Sequence, residues 1–188
     1  MIIEEIGDLD NDGIDEKIVI YEINEVTNYR KLRELWIFKN ENGKWINWIK
    51  TNDAILASNE GGPMGDPLEG IEIENNLLRI HFYGGSNWKW TYTDTYKFQN
   101  NQFELIGYTH TNFKLCDDWD SLDFNLSTGK IVLKNGFENC EKKVQKRHTE
   151  ETEIFYTKDL LITLQNRNDK EIKIVSPKGK ITYLFQKH

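Results

Sequence analysis

The residues whose types and spacing could do chemistry lie near the start of the chain. Three aspartates alternate there, and a glycine and a glutamate follow: Asp8, Asp10, Asp12, Gly13 and Glu16. Alternate acidic residues in a tight loop direct their carboxylates at one centre, as a hard cation such as calcium requires of its oxygen ligands. Gly13 permits the sharp reversal, the carbonyl of Ile14 is free to serve as a backbone ligand, and Glu16 closes the shell from the far side.

The elements around this loop must be strands. The helix-loop-helix form of such a site needs a bidentate glutamate at loop position twelve, and counting from Asp8 that position is Val19. The segment after the loop, 17–23, reads as a strand. Without a cation the alternating carboxylates would repel one another, so we expect Ca²⁺ as the cofactor. Its role is expected to be structural, because protein oxygens fill the shell.

The segment from Gly7 to Ile20, G-D-L-D-N-D-G-I-D-E-K-I-V-I, resembles the calcium loops of FG-GAP and VCBS-type repeats. In those loops the first, third, fifth and ninth positions supply side chains and the seventh supplies a carbonyl. The resemblance implies one ligand set here: Asp8, Asp10, Asp12, Glu16 and the carbonyl of Ile14. A propeller does not follow, because this chain contains one such loop.

Three further segments resemble an uncharacterised family of bacterial secreted or lipoprotein-like proteins: Glu60–Pro67, Tyr83–Trp90 and Phe103–Tyr108. This resemblance implies a secreted, periplasmic or lipoprotein-anchored location and no known activity. No signal peptide is visible, and the chain begins abruptly in a strand-like segment at 2–6, so we expect the natural chain to be longer, with a leader before Met1.

Apolar alternation with a period of two dominates the chain and predicts an all-β fold with little helix. In the clearest segment, from Trp88 to Phe98, every even position except Asp94 is aromatic, and the odd positions are threonine or lysine. A half-buried strand requires such an aromatic face and polar face. We therefore expect an antiparallel meander of hairpins, forming a curved sheet or sandwich that is propeller-blade-like.

Paired asparagines predict the turns, because Asn tolerates positive φ. A turn at Asn100-Asn101 would pair Phe98 with Phe103 and set Trp88 against Phe113. A turn at Asn75-Asn76 would place opposite charges face to face, Glu72 against Arg79. A third hairpin is expected to turn at 40–43.

The C-terminal part repeats this style, with three strand-like segments: Leu160–Leu164, Ile172–Val175 and Ile181–Phe185. We treat 1–188 as a single β domain, in which 152–188 could form a C-terminal strand subregion. The basic cluster at 142–148 is interpreted as a solvated connector, because a nucleic-acid or membrane patch needs more breadth. Within 26–35 a short helix could form.

Cys116 and Cys140 are the cysteines of the chain. Strand-like segments at 123–126 and 131–133 flank a hairpin turn at 127–130, and the midpoint of the two cysteines falls in that turn. A symmetric hairpin would bring the cysteines within disulfide reach, which would imply an oxidising compartment. The alternative is a pair of free buried thiols.

Two glycine-rich loops, 60–67 and 83–87, could form a binding rim for a peptide or glycan from five residues: Met64, Asp66, Ser86, Asn87 and Trp88. Neither loop has a phosphate-binding pattern, and both could instead be strained connections. His81 and His110, which could approach each other, are interpreted as ordinary strand residues. The acidic cluster at 117–120 is either a second cation site or a solvated loop.

No residue pattern identifies a catalytic site. The formal charge of −7 makes nucleic acid an unsuitable partner, and no apolar stretch is long enough to span a membrane. We expect a monomeric, exported, calcium-binding structural or binding module without enzymatic activity, whose partner is an unidentified protein, peptide or glycan. Two alternatives stay open: an envelope-polymer hydrolase that uses acidic residues near the glycine-rich loops, and an immunity or inhibitor protein that masks a partner.

Overall fold

The structure is a computed structural model that describes residues 1–23, 30–138, 140, 150–157, 160–168 and 171–184. These residues form a short 3₁₀ helix at Gly62–Met64 and thirteen strands: β1 (Ile3–Gly7), β2 (Glu16–Ile23), β3 (Leu32–Glu41), β4 (Lys44–Thr51), β5 (Leu68–Glu74), β6 (Leu77–Gly85), β7 (Lys89–Gln99), β8 (Gln102–Phe113), β9 (Asp118–Asn125), β10 (Lys130–Phe137), β11 (Glu151–Tyr156), β12 (Ile172–Val175) and β13 (Ile181–Leu184). The expected all-β fold is confirmed.

Within each sheet, strands that are adjacent in sequence pair with one another, always antiparallel. One sheet has the order β1-β2-β3-β4, a second has the order β11-β10-β9-β8-β7-β6-β5, and β12 and β13 form a separate hairpin. The expected meander is therefore confirmed, as two open sheets and a hairpin that do not close into a barrel.

The asparagine turns form as expected. Asn75, Asn76, Asn100 and Asn101 have φ angles of 53°, 60°, 50° and 62°. These left-handed angles suit a two-residue turn between twisted strands. Phe98 pairs with Phe103 as predicted.

The registers are confirmed near the turns. Glu72 pairs with Arg79, and their charged atoms lie 3.1 Å apart. The predicted pairing of Trp88 with Phe113 is wrong. A β-bulge beside Tyr96 adds one residue to β8, so Phe113 pairs with Lys89 instead.

The predicted strand at Leu160–Leu164 is also wrong. Only Thr163 forms a bridge, with Glu104 of β8. The Asn166 side chain accepts a hydrogen bond from the Thr163 backbone N–H at 2.7 Å, and this turn ends the pairing. The predicted strand Ile172–Val175 is confirmed, and the predicted Ile181–Phe185 strand is β13 as far as Leu184.

One hydrophobic core includes residues of both larger sheets and of the β12–β13 hairpin. Ile20 and Ile37 from the first sheet, Ile80 and Phe124 from the second, and Leu184 from the hairpin are all buried. The even-numbered face of β7 lies in this core, as its aromatic pattern predicts.

Some expectations concern segments beyond the described residues. The basic cluster at 142–148 lies there, and so does Phe185. Of the helix considered at 26–35, the part from Leu32 onward is strand β3. In the described part of the chain, no helix is long and apolar enough to cross a membrane.

Candidate metal centre

The acidic loop connects β1 to β2, as predicted, and its own carboxylates fold it. Asp8 accepts hydrogen bonds from the backbone N–H groups of Asn11 at 2.7 Å and Gly13 at 3.1 Å. Asp12 accepts one from the N–H of Ile14 at 2.8 Å. Gly13 has a φ of 84°, which favours glycine. The short acidic side chains therefore hold the reversal that brings the loop back to β2.

Three carboxylates converge in this loop. One oxygen each of Asp8, Asp10 and Glu16 lies within 4.8 Å of the other two. Oxygens that share a calcium ion at roughly 2.3–2.6 Å from it lie at most about 5 Å apart, so this spacing fits calcium. The carboxylate of Asp12 is not among the three, and the side chain of Ile14 is exposed.

Glu16 anchors the cluster from the inside. Its side chain is buried, with 1% exposure, and Oε2 accepts a hydrogen bond from the backbone N–H of Leu9 at 2.8 Å. Burial raises the pKa of Glu16, and the nearby charges of Asp10 and Asp12 add to the increase. A buried carboxylate beside two other acids needs a positive partner to carry its charge.

Lys39 of β3 supplies one positive charge, and no pattern in the sequence pointed to it. Its ammonium group donates a hydrogen bond to Asp10, and this bond raises the pKa of Lys39. The same ammonium lies 4.2 Å from the ring centroid of Trp48. The lysine lies 29 positions beyond Asp10 in the chain, so only the register of β2 with β3 shows that the two are neighbours.

The loop lies where the two larger sheets meet. Asn76, in the β5–β6 turn of the second sheet, donates from Nδ2 to the backbone carbonyl of Asp8 at 2.9 Å. Leu9 is buried in the shared core. A Cβ atom on Gly7 would lie 2.8 Å from Cγ2 of Ile73 in β5, so the sheets are in close contact here. A cation in this loop would therefore be bound at the junction of the sheets.

The structure confirms the predicted pairing of the two cysteines. Cys116 and Cys140 form a disulfide with Cα atoms 5.1 Å apart. They lie just beyond the last pair of the β9–β10 hairpin, Asp118 with Phe137, so the bond closes the open end of the hairpin.

The acidic cluster at 117–120 does not gather around a common centre. Asp117 binds Lys114, and Asp120 accepts a hydrogen bond from Asn112 at 3.3 Å. Within the described residues, the acidic group with cation-site spacing is the one in the β1–β2 loop. His81 and His110 do not meet either, because His110 faces the core while the side chain of His81 binds Thr93 on the opposite face.

The five residues of the predicted rim have different surroundings. The two glycine-rich loops do lie together, since the N–H of Gly85 donates to the carbonyl of Gly61 at 2.9 Å. Met64 is exposed on the 3₁₀ helix, whereas Asp66 is bound by Arg33. Trp88 lines a cleft that none of the other four residues lines. Ser86 and Asn87 belong to the turn that precedes Trp88.

Asp66 has a structural partner in Arg33 of β3. The arginine side chain is 0% exposed and that of Asp66 is 50% exposed. Nη1 of Arg33 donates to Oδ1 of Asp66 at 2.7 Å, and Nη2 donates to Oδ2. Burial raises the pKa of Asp66, but the hydrogen bonds from Arg33 and from the N–H of Leu68 outweigh it, so the pKa is lowered.

We expect Asp66→Asn to destabilise the protein by about 1–3 kcal/mol, because a buried arginine loses its bidentate acceptor. Since the folded-state pKa is lowered, the contribution of Asp66 is present at neutral pH and decreases as the pH falls below about 4. Urea unfolding at pH 7 and at pH 3 measures both effects. Glu69→Gln, at an exposed neighbour, is the matched control. Equal stabilities for the Asp66 and Glu69 variants would contradict the prediction.

A second ion pair, unlike the first, is buried at both members. Asp94 and Arg167 have side chains that are 0% and 1% exposed, and Nε of Arg167 donates to Oδ2 of Asp94 at 2.6 Å. Burial raises the pKa of Asp94, and the positive charge of Arg167 opposes this increase. The signal was Asp94 itself, a charged residue on the aromatic face of β7, but no pattern indicated its partner.

These features define an all-β protein with an acidic loop at the junction of two sheets, one disulfide, one fully buried ion pair and one ion pair between a buried arginine and a half-exposed aspartate. Comparison of the chain with family models, with curated proteins and with solved structures finds no match.

Proposed function

We propose that this protein is an exported, non-enzymatic structural or binding module that calcium stabilises. The observation that carries the proposal is the convergence of Asp8, Asp10 and Glu16 at the junction of the two sheets. Calcium held there would offset two of the three negative charges and would order the loop whose Asp8 carbonyl accepts the hydrogen bond from Asn76. Asp12 and the carbonyl of Ile14 complete the proposed ligand set, as in the loops that the sequence resembles.

The acidic residues near the glycine-rich loops favour a non-enzymatic role. Asp66 is held by Arg33, and Glu60 binds both Arg30 at 3.0 Å and the backbone N–H of Ala57 at 2.6 Å. Carboxylates that are engaged in this way stabilise loops and are poorly placed for the general acid and base roles of a hydrolase. Export is supported by the disulfide, which persists in oxidising compartments, where calcium is also abundant.

Calcium is expected to raise the melting temperature, because an ion that binds the folded state alone stabilises it by mass action. At a free calcium concentration of about 100 times Kd the gain is ~2.7 kcal/mol. For a domain of this size that corresponds to roughly 5–10 °C. Thermal unfolding followed by circular dichroism, in excess calcium and in chelator, measures the shift.

A pair of matched variants locates the effect. Asp10→Asn removes one converging carboxylate and is expected to abolish most of the calcium-dependent shift. Asp15→Asn makes the same chemical change at an exposed position of the same loop outside the cluster, and is expected to leave the shift intact. Equal melting temperatures in calcium and chelator for the unsubstituted protein would overturn the proposal.

A further inference from the structure

A cleft lies at the far end of the seven-stranded sheet. Its volume is about 580 Å³, which falls in the range of small-ligand sites. Asp118 pairs with Phe137 and Asp120 with Asn135 across β9 and β10, and Asn135 pairs with Glu151 across β10 and β11. These residues lie on the same face of the sheet as Leu122 of β9 and Leu133 of β10, which are buried in the core. The cleft therefore lies on the core-facing side of the sheet, just beyond the end of the core. The residues that line it include Trp88, Asp118, Asp120, Asn135, Phe137, Glu151 and Lys180.

The β12–β13 hairpin forms one wall. Glu153 of β11 accepts hydrogen bonds from the hydroxyl of Ser176 at 2.8 Å and from the backbone N–H of Lys178 at 3.0 Å. These bonds fix the hairpin turn above the sheet and place Lys180 at the cleft. A smaller pocket of about 100 Å³ continues the cleft along β10 and β11, sharing Asn135, Glu151 and Lys180 with it. The site is therefore elongated and already formed.

Aromatic surface is exposed at this cleft. Trp88 is 45% exposed and Phe137 is 38% exposed, although large apolar rings are usually more buried. Exposed ring faces beside a preformed concavity indicate a ligand that stacks on them.

The polar groups of the cleft include both donors and acceptors. Within the described part of the chain, the side chains of Asn135, Glu151 and Lys180 have no hydrogen-bond or ion-pair partner in the protein. Carboxylates accept hydrogen bonds, an ammonium donates them and an amide does both. A ligand that uses all of these groups must itself donate and accept at several positions.

Charge narrows the ligand class. The carboxylates of Asp118, Asp120 and Glu151 would repel an anion such as a phosphate or an acidic sugar. Lys180 offsets one of these three charges, so a basic peptide is the competing ligand that the test below includes. A neutral polyhydroxylated ligand can bind both the acidic and the basic side chains of the cleft, because each hydroxyl group can donate to a carboxylate and accept from an amide or ammonium group.

We propose that this cleft binds a neutral oligosaccharide. One sugar ring stacks on Trp88, since the C–H groups on its apolar face carry partial positive charge and the aromatic face is electron-rich. Hydroxyl groups of this ring and of the neighbouring sugar units bind Asp120, Asn135, Glu151 and Lys180. The inference goes beyond the calcium proposal and does not depend on it, because the cleft and the acidic loop share no residue.

The test is a titration of the full chain, with calcium present, using soluble oligomers of glucose, xylose, mannose and N-acetylglucosamine at up to about 10 mM. Tryptophan indole resonances in NMR spectra report binding at Trp88. At least one neutral oligomer is expected to bind saturably, with a Kd of roughly 10 µM to 1 mM. Trp88→Ala is expected to weaken that binding about tenfold or more, and Asp120→Asn several-fold.

Two matched variants control for indirect effects. Trp45→Ala removes a similarly exposed tryptophan from β4 of the other sheet, and Asp123→Asn changes an exposed acid on the opposite face of β9. Both are expected to leave binding unchanged. The proposal is overturned if no oligomer binds, if Trp88→Ala has no effect, or if an oligolysine peptide binds the cleft in place of the sugars. The calcium shift in melting temperature, measured on the same samples, reports separately on the calcium proposal.

Discussion

Replacing Arg167 with methionine is expected to destabilise the protein by about 3–5 kcal/mol, the cost of leaving one member of a buried ion pair without its partner. The charge that loses its partner is Asp94, which is 0% exposed. The guanidinium of Arg167 also lies 5.2 Å from the ring centroid of Tyr92 and 5.6 Å from that of Phe82. Methionine preserves much of the packing on these rings but cannot compensate the carboxylate.

Urea unfolding at neutral pH measures the loss, and Arg79→Met provides the comparison. Arg79 pairs with Glu72 and Glu74 at the surface, where breaking an ion pair costs at most about 1 kcal/mol. The double variant Asp94→Leu with Arg167→Met removes both buried charges and is expected to be more stable than Arg167→Met alone. A loss no larger than that of Arg79→Met would show that Asp94 is not held as a buried charge.

The hairpins could be predicted from short stretches of sequence, because the turn residues and the alternation of apolar and polar side chains determine them. The turn at Asn100-Asn101 needs two residues that tolerate positive φ, and the alternating pattern of β7 places its aromatic face on the core. The register failed only beyond the bulge beside Tyr96, where one extra residue shifts the pairing of Phe113. Alternation alone does not show a bulge, since both strands keep the two-residue period on either side of it.

The candidate metal site could be predicted to a similar extent. The spacing of Asp8 and Asp10 located the loop, because its backbone hydrogen bonds are made by its own side chains. The partners from other elements could not be predicted. Lys39 reaches Asp10 from β3, and Asn76 reaches the loop from the second sheet, 68 positions along the chain from Asp8. Such contacts depend on sheet packing, which leaves no signal in a short window of sequence.

The two ion pairs that hold a buried arginine show the same limit more strongly. Asp94 and Arg167 are 73 positions apart, and Asp66 and Arg33 are 33 apart. A charged residue at a core position indicates that a partner exists, because an isolated buried charge is too costly. It does not indicate which of the 24 lysines and arginines supplies the opposite charge.

Removing the disulfide is expected to lower the free energy of unfolding by roughly 3.5 kcal/mol, the chain-entropy value for a closed loop of about 25 residues. The bond joins cysteines separated by 24 positions in sequence, and its main effect is to restrict the unfolded chain. The variant carries both Cys116→Ser and Cys140→Ser, and urea unfolding measures the loss. Because the unfolded chain without the cross-link is more expanded, the urea m value is expected to rise as well.

The urea m value distinguishes restriction of the unfolded chain from damage to the native hairpin. A serine pair that disturbed the packing around β9 and β10 would lower the midpoint without raising the m value. Unsubstituted protein treated with reductant provides the control, since it loses the cross-link while keeping both side chains. It is expected to unfold at a midpoint close to that of the double variant. Identical midpoints before and after reduction would show that the bond contributes nothing to stability. A titration that found two free thiols in unreduced protein would remove the support that the disulfide gives to export.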